Sequence, residues 1–283
     1  MMTESIVQAE RKIDCHCHIF DPKRFAYNPA SPFHPTGQEI ATSAQIGRVF
    51  DAHNVGHGLL VQPNSGYADD NRCMLDAIAQ SGGRYKGIAV VAHDTSLERL
   101  AELKRLGIVG VAFNLPFFEP GYYAGTEPLL ERLRALDLFL QIQVEADGLL
   151  GIWPLLEASG VRLLVDHCGR PRPEHGVQQQ GFHALLDLGR RKRAVVKLSG
   201  HIKFSNRSHP FEDVSPFMEA LIDAFGPDGC VWGSDWPFLR APERVDYGPL
   251  LDLFGAVVPD PAMRRKILWD TPNRLFGFDQ VRA

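Results

Sequence analysis

The sequence predicts a (β/α)8 barrel, an α/β fold in which eight parallel strands are each followed by a helix. Three observations carry that expectation. Eight short β-rich runs recur along the 283 residues. Segments of helical periodicity separate most of them. Side chains suited to acid–base or metal chemistry sit where three of the strands give way to loops, which is where this architecture gathers its chemistry.

The eight runs are 12–20, 58–62, 87–92, 110–115, 139–145, 162–166, 194–199 and 230–234. Most are near-continuous Val/Ile/Leu segments, as parallel strands covered on both faces require. Helices are expected at 70–80, 96–106, 127–136, 149–159, 181–190, 214–225 and 263–276. Segment 96–106 shows the logic. Ser96 can cap its start, and leucines at 97, 100, 103 and 106 fall on one face. Segments 29–37, 170–180 and 204–215 read as loops over the barrel mouth. A doubly wound open sheet would show a Gly-rich phosphate loop after its first strand. Here that strand runs into Asp21-Pro22-Lys23-Arg24-Phe25 instead.

With no linker in view, residues 1–283 read as one domain, with 1–11 a flexible tail. Hydrophobic content of 45% with 23% charge is that of a soluble globular chain, and the formal charge of −4 argues against a nucleic-acid binder. No apolar run is long enough to span a membrane, and residues 1–12 hold no apolar signal core. Five cysteines, an odd number, argue against a disulfide framework and for the cytoplasm. Cys15 and Cys17 share a strand and are expected to face away from its histidines, as small buried residues rather than thiolate ligands.

The chemistry sits in three motifs: Asp14-Cys15-His16-Cys17-His18, Val165-Asp166-His167-Cys168-Gly169-Arg170-Pro171 and Trp232-Gly233-Ser234-Asp235-Trp236-Pro237. Residues two apart on a strand share a face, so His16 and His18 aim together. His167 closes strand six and Asp235 closes strand eight, which neighbours strand one in a closed barrel. Three neutral imidazoles and a carboxylate can hold one divalent ion, zinc foremost. Without metal, the same four can polarise a carbonyl and activate water. Both readings stay open here.

On these motifs the chain resembles the amidohydrolase superfamily, in particular its lactonase branch. The resemblance runs from Ile13 to Phe278. It implies hydrolysis of a lactone of a small organic acid, such as a sugar-acid lactone or muconolactone, by water activated at Asp235. His16, His18 and His167, or a metal they hold, would polarise the carbonyl. Many superfamily members carry a bridging lysine on strand four and a histidine on strand five. Strands four and five here read Gly110-Val111-Ala112-Phe113-Asn114-Leu115 and Leu140-Gln141-Ile142-Gln143-Val144-Glu145, so a binuclear centre is not expected. The pyrone-dicarboxylate enzymes of that branch carry a carboxylate-binding arginine where this chain has Ala112, which weakens a dicarboxylate assignment.

The partner expected is a small anionic or polyhydroxylated lactone. Arg170, Lys203 and Arg240 follow strands and can meet an acid group. Asn114 and Gln62 end strands and can hydrogen-bond a substrate. Tyr67 is a further candidate contact, and Tyr27, Tyr122, His201 and Phe117 could line the pocket. A metal-dependent decarboxylase, a lactone isomerase and a non-catalytic acid-binding barrel are the alternatives on the same scaffold.

Overall fold

The computed structural model describes residues 6–243 and 245–278. Eight strands form one sheet in sequence order, every neighbouring pair parallel. They are β1 (Lys12–Cys17), β2 (Val55–Val61), β3 (Tyr85–Ala89), β4 (Ile108–Asn114), β5 (Phe139–Gln143), β6 (Arg162–Val165), β7 (Ala194–Leu198) and β8 (Cys230–Trp232). The barrel closes just beyond β8. Asp235 N donates to His16 O at 2.8 Å, and His18 N donates to Trp236 O at 2.9 Å.

Two apolar layers follow from strand alternation. Inward residues Ile13, Leu59, Val61, Ile88, Phe139, Leu164, Val195 and Val231 plug the barrel, with Trp269, Phe276 and Phe278 in the same cluster. Outward residues such as Leu60, Ile142, Val165, Val196 and Trp232 pack beneath the helices. Burial on both faces is what makes the strands read as continuous hydrophobic runs.

β1 departs from regular alternation. Asp14 pairs with Gly58 and Cys17 with Leu60, so three steps on β1 match two on β2. That extra residue is a β-bulge. Below it, Ile13 and Cys15 belong to the barrel plug. Above it, Cys17 has moved to the outer layer. The expectation that both cysteines face away from the histidines is therefore corrected: Cys17 does, whereas Cys15 lies in the interior. All five cysteines are free and buried. Burial pushes the Cys15 and Cys17 thiols well above their usual pKa, so neither supplies a thiolate.

Other differences have local causes. β1 and β8 stop at Cys17 and Trp232, short of the expected ends, because the chain beyond them turns over the mouth. Two helices were not foreseen. Ser43–Ala52 is capped by a reciprocal Thr42–Gln45 box. Tyr247–Val257 carries Gly248 and Pro249 in its first turn, which hid its periodicity. The expected helix at 263–276 breaks into Pro261–Arg265, a π turn Lys266–Asp270, and Thr271–Phe276 with Pro272 near its start. Part of the expected tail is ordered. Residues 1–5 lie outside the described residues, but Ile6–Ala9 is a helical turn whose Val7 packs at Gly255. Among the described residues, no helix is long and apolar enough to cross a membrane.

Candidate active site

The bulge in β1 turns His16 and His18 into the barrel mouth, where β6 and the end of β8 bring His167 and Asp235. All four are buried. Asp235 Oδ1 lies 3.4 Å from His18 Nε2, 3.8 Å from His16 Nε2 and 3.9 Å from His167 Nε2. Two close approaches make this convergence possible. A Cβ on Gly233 would sit 2.7 Å from His16 Cβ, so only glycine lets β8 pass so near β1. Gly200, at φ +63°, packs against the His167 ring, and a Cβ there would fall 2.3 Å from Nδ1.

A second shell of contacts orients the imidazoles. Val61 O lies 2.8 Å from His18 Nδ1, and a carbonyl can only accept. Nδ1 therefore donates to that carbonyl, which fixes the ring with Nε2 facing Asp235. His167 Nδ1 meets Ser199 Oγ at 3.0 Å. His16 Nδ1 is 3.2 Å from both Asp166 Oδ1 and Lys197 Nζ. Lys197 and Asp166 form a buried ion pair at 3.1 Å, and Gln141 bridges them, accepting from Lys197 at 2.5 Å and donating to Asp166 at 2.7 Å. Sequence reading passed over Lys197, Gln141 and the role of Asp166. Their only signal is polarity at inward positions of otherwise apolar strands. Every partner in this quartet is satisfied, which is what burying two charges demands.

Electrostatics follow from burial and these pairs. Burial, reinforced by Lys197, lowers the His16 pKa to about 4. Burial also holds His167 well below its usual value. Burial alone would raise Asp166 and Asp235. Lys197 and His16 overcome it at Asp166, and Lys203 and His167 at Asp235, so both carboxyls lie below the usual range. At neutral pH His16 and His167 are uncharged imidazoles beside the Asp235 carboxylate. Lys203 Nζ stands 3.5 Å from Asp235 Oδ2.

The donor set fits one divalent ion. Donor atoms of His16, His167 and Asp235 lie within 4.8 Å of one another, and His18 Nε2 adds a fourth beside Asp235. Ligands about 2.1 Å from a tetrahedral ion stand roughly 3.4 Å apart. The three separations from Asp235 Oδ1, 3.4 to 3.9 Å, are close to that.

The remaining candidates are distributed unevenly. Lys203 reaches the site. Arg170 is in the left-handed region at φ 44° and pairs with Glu145 at 3.3 Å, leaving a buried Nε without a partner. Asn114 donates to Asn64 at 3.1 Å and keeps Oδ1 unpaired. Three other candidates already hold partners within the chain. Gln62 donates its amide N–H groups to Ala68 O and Asp70 O and keeps a buried Oε1 without a partner. Tyr67 is buried against Phe20 and Tyr27, with its hydroxyl taken by the Asp21 N–H. Arg240 is exposed over Phe33, and its own N–H is bound by Glu39.

An eight-stranded barrel with His-x-His on β1, histidine after β6 and aspartate after β8 defines an amidohydrolase-type centre. The amidohydrolase family profile matches residues 13–278, and the chain belongs to that family. It is 33% identical over 274 residues to the 4-sulfomuconolactone hydrolase of Rhizobium radiobacter, covering 93% of this chain and 89% of that one. It is 30% identical over 287 residues to the 2-pyrone-4,6-dicarboxylate hydrolase of Comamonas testosteroni, covering 95% and 91%. A solved structure from Acinetobacter baumannii, assigned to 2-pyrone-4,6-dicarboxylic acid hydrolysis and holding citric acid, superposes with a TM-score of 0.83. It has 28% identity and coverage of 95% and 100%.

Proposed function

We propose that this protein hydrolyses a lactone of a small organic acid, with Asp235 as the proton-transfer group. The observation that carries the reading is the position of Asp235 Oδ1, within 3.4 to 3.9 Å of three imidazole Nε2 atoms in a buried mouth. The named lactone hydrolases among its relatives support the substrate class.

Asp235 is ionised at neutral pH and accepts a proton from water as the water oxygen bonds to the lactone carbonyl carbon. Lys203, 3.5 Å from Asp235, supplies a positive charge to the growing negative charge. The ring C–O bond then breaks, and Asp235 returns the proton to the leaving oxygen, so lactone and water become a hydroxy acid. His16, His18, His167 and Asp235 would hold a zinc ion, which when bound supplies Lewis acidity at the carbonyl or the water.

The test is acid release by purified protein from sulfomuconolactone, muconolactone, pyrone-dicarboxylate and sugar-acid lactones. Asp235→Asn is expected to lower kcat by about 10³-fold with the melting temperature preserved. Near wild-type turnover would remove Asp235 from the mechanism. Product NMR separates hydrolysis from isomerisation. Elemental analysis is expected to find one zinc per chain, with activity lost on chelation. Full activity in a metal-free preparation would remove zinc from the mechanism.

A further inference from the structure

His201 is a buried imidazole that the proposed reaction does not use. It follows β7 in the turn His201–Lys203, whose start at Gly200 packs on the His167 ring. The same turn delivers Lys203 to Asp235. His201 is 2% exposed, and its Nε2 is buried without a hydrogen-bond partner. His201 and Lys203 thus share one short turn, and that turn reaches Asp235 through Lys203 Nζ at 3.5 Å. Its nearest aromatic neighbour is Phe204, at 6.5 Å between ring centres.

A buried polar nitrogen with no partner costs stability, and folded proteins rarely leave one without a reason. Burial lowers the His201 pKa to about 4, so at neutral pH the ring is uncharged and can carry a proton on Nε2. Two residues along the same turn, Lys203 offers an ammonium. A neutral N–H donor next to a cation is an arrangement suited to an oxyanion, with the cation supplying charge and the imidazole supplying direction. On β4, Ala112 supplies no cation for such a group.

We propose that His201 is a substrate-binding residue, donating through Nε2 to the carboxylate or sulfonate substituent of the lactone that Lys203 neutralises. The lactone part of this inference rests on the function proposed above; the acid-binding part does not. Citrate, a carboxylate that needs no turnover, is therefore the probe, with affinity measured calorimetrically on the whole protein. His201→Phe keeps the ring and removes the donor. It is expected to weaken citrate about tenfold, whereas His201→Gln, whose amide nitrogen falls near the lost Nε2, stays within about threefold of wild type. On an active lactone, His201→Phe is expected to raise KM with kcat changed less than about threefold. Should the phenylalanine variant fold poorly, His201→Leu against His201→Gln makes the same comparison. Citrate affinity unaltered by His201→Phe, equal loss in the phenylalanine and glutamine variants, or no citrate binding by the wild type would each overturn the assignment. A wild type silent toward every lactone but binding citrate through His201 would overturn the hydrolase reading alone.

Discussion

Asp235 is a carboxylate whose basicity is set by what stands around it. Lys203 is the foremost group opposing the upward push of burial, holding the pKa below the usual range. Neutralising that lysine must raise the pKa of Asp235, because the ionised form loses its partner. Lys203→Gln is expected to move the acid limb of kcat/KM to higher pH and to weaken an anionic substrate about tenfold. A pH–rate profile checks this, and an unmoved limb would show that Asp235 does not control it. The four central residues were legible because His16 and His18 alternate along the first strand, while His167 and Asp235 follow strands close to Gly or Pro. Lys197 was not. In Ala194-Val195-Val196-Lys197-Leu198 it reads as a polar interruption, and nothing local announces Asp166 or Gln141 as its partners. Long-range pairs of this kind are absent from any one segment. Tyr67 misled for the opposite reason, since an aromatic hydroxyl beside a strand end looks the same whether it faces a ligand or a backbone amide.

The element that decides the site is the seam between β1 and β8. Asp14 holds it, accepting from His16 N at 3.1 Å, Ser234 N at 3.0 Å, Ser234 Oγ at 2.6 Å and Tyr247 Oη at 2.9 Å. One buried carboxylate thus ties the backbone of the His-x-His to the residue preceding Asp235. Tyr247→Phe removes one of the four donors and is expected to cost about 1–2 kcal/mol in urea unfolding, with a several-fold loss of kcat. Loss of stability without loss of turnover would mean that the seam tolerates slack. All eight strands were legible as runs, since burial on both faces leaves an unambiguous hydrophobic mark. Their ends were less so, because 18–20 and 233–234 remain apolar or small while the chain leaves the ladder.

For the whole molecule, the buried histidines link stability to pH. His16 and His201 titrate near 4 in the folded state against 6.5 unexposed to the fold. His167 is depressed as well. Below 6.5 the unfolded chain takes up protons that the folded chain refuses until about 4, so stability falls as pH falls through that window. Each of His16 and His201 is expected to cost about 2 kcal/mol by pH 5. Asp166 and Asp235, depressed by their cations, add a further loss once pH drops below the ordinary carboxylate range. Urea midpoints at pH 7.5 and 5.0 test this, and equal midpoints would contradict neutral burial. The barrel as a whole was legible from the count and order of its elements. The helices Ser43–Ala52 and Tyr247–Val257 were not, because Gly47, Gly248 and Pro249 interrupt their pattern.

The single extra residue in β1 has a consequence for how this chain can change. A strand without it would carry one parity from end to end, and any residue that suits the oily plug would constrain those above it. With it, the strand is two independent half-strands spliced out of phase. Ile13 and Cys15 can be exchanged for other hydrocarbons without re-aiming His16 and His18. Conversely, a His-x-His pair transplanted onto an unbroken strand at the same numbering would point its rings into the surrounding helices. The insertion is what lets stability and chemistry drift separately along one six-residue segment.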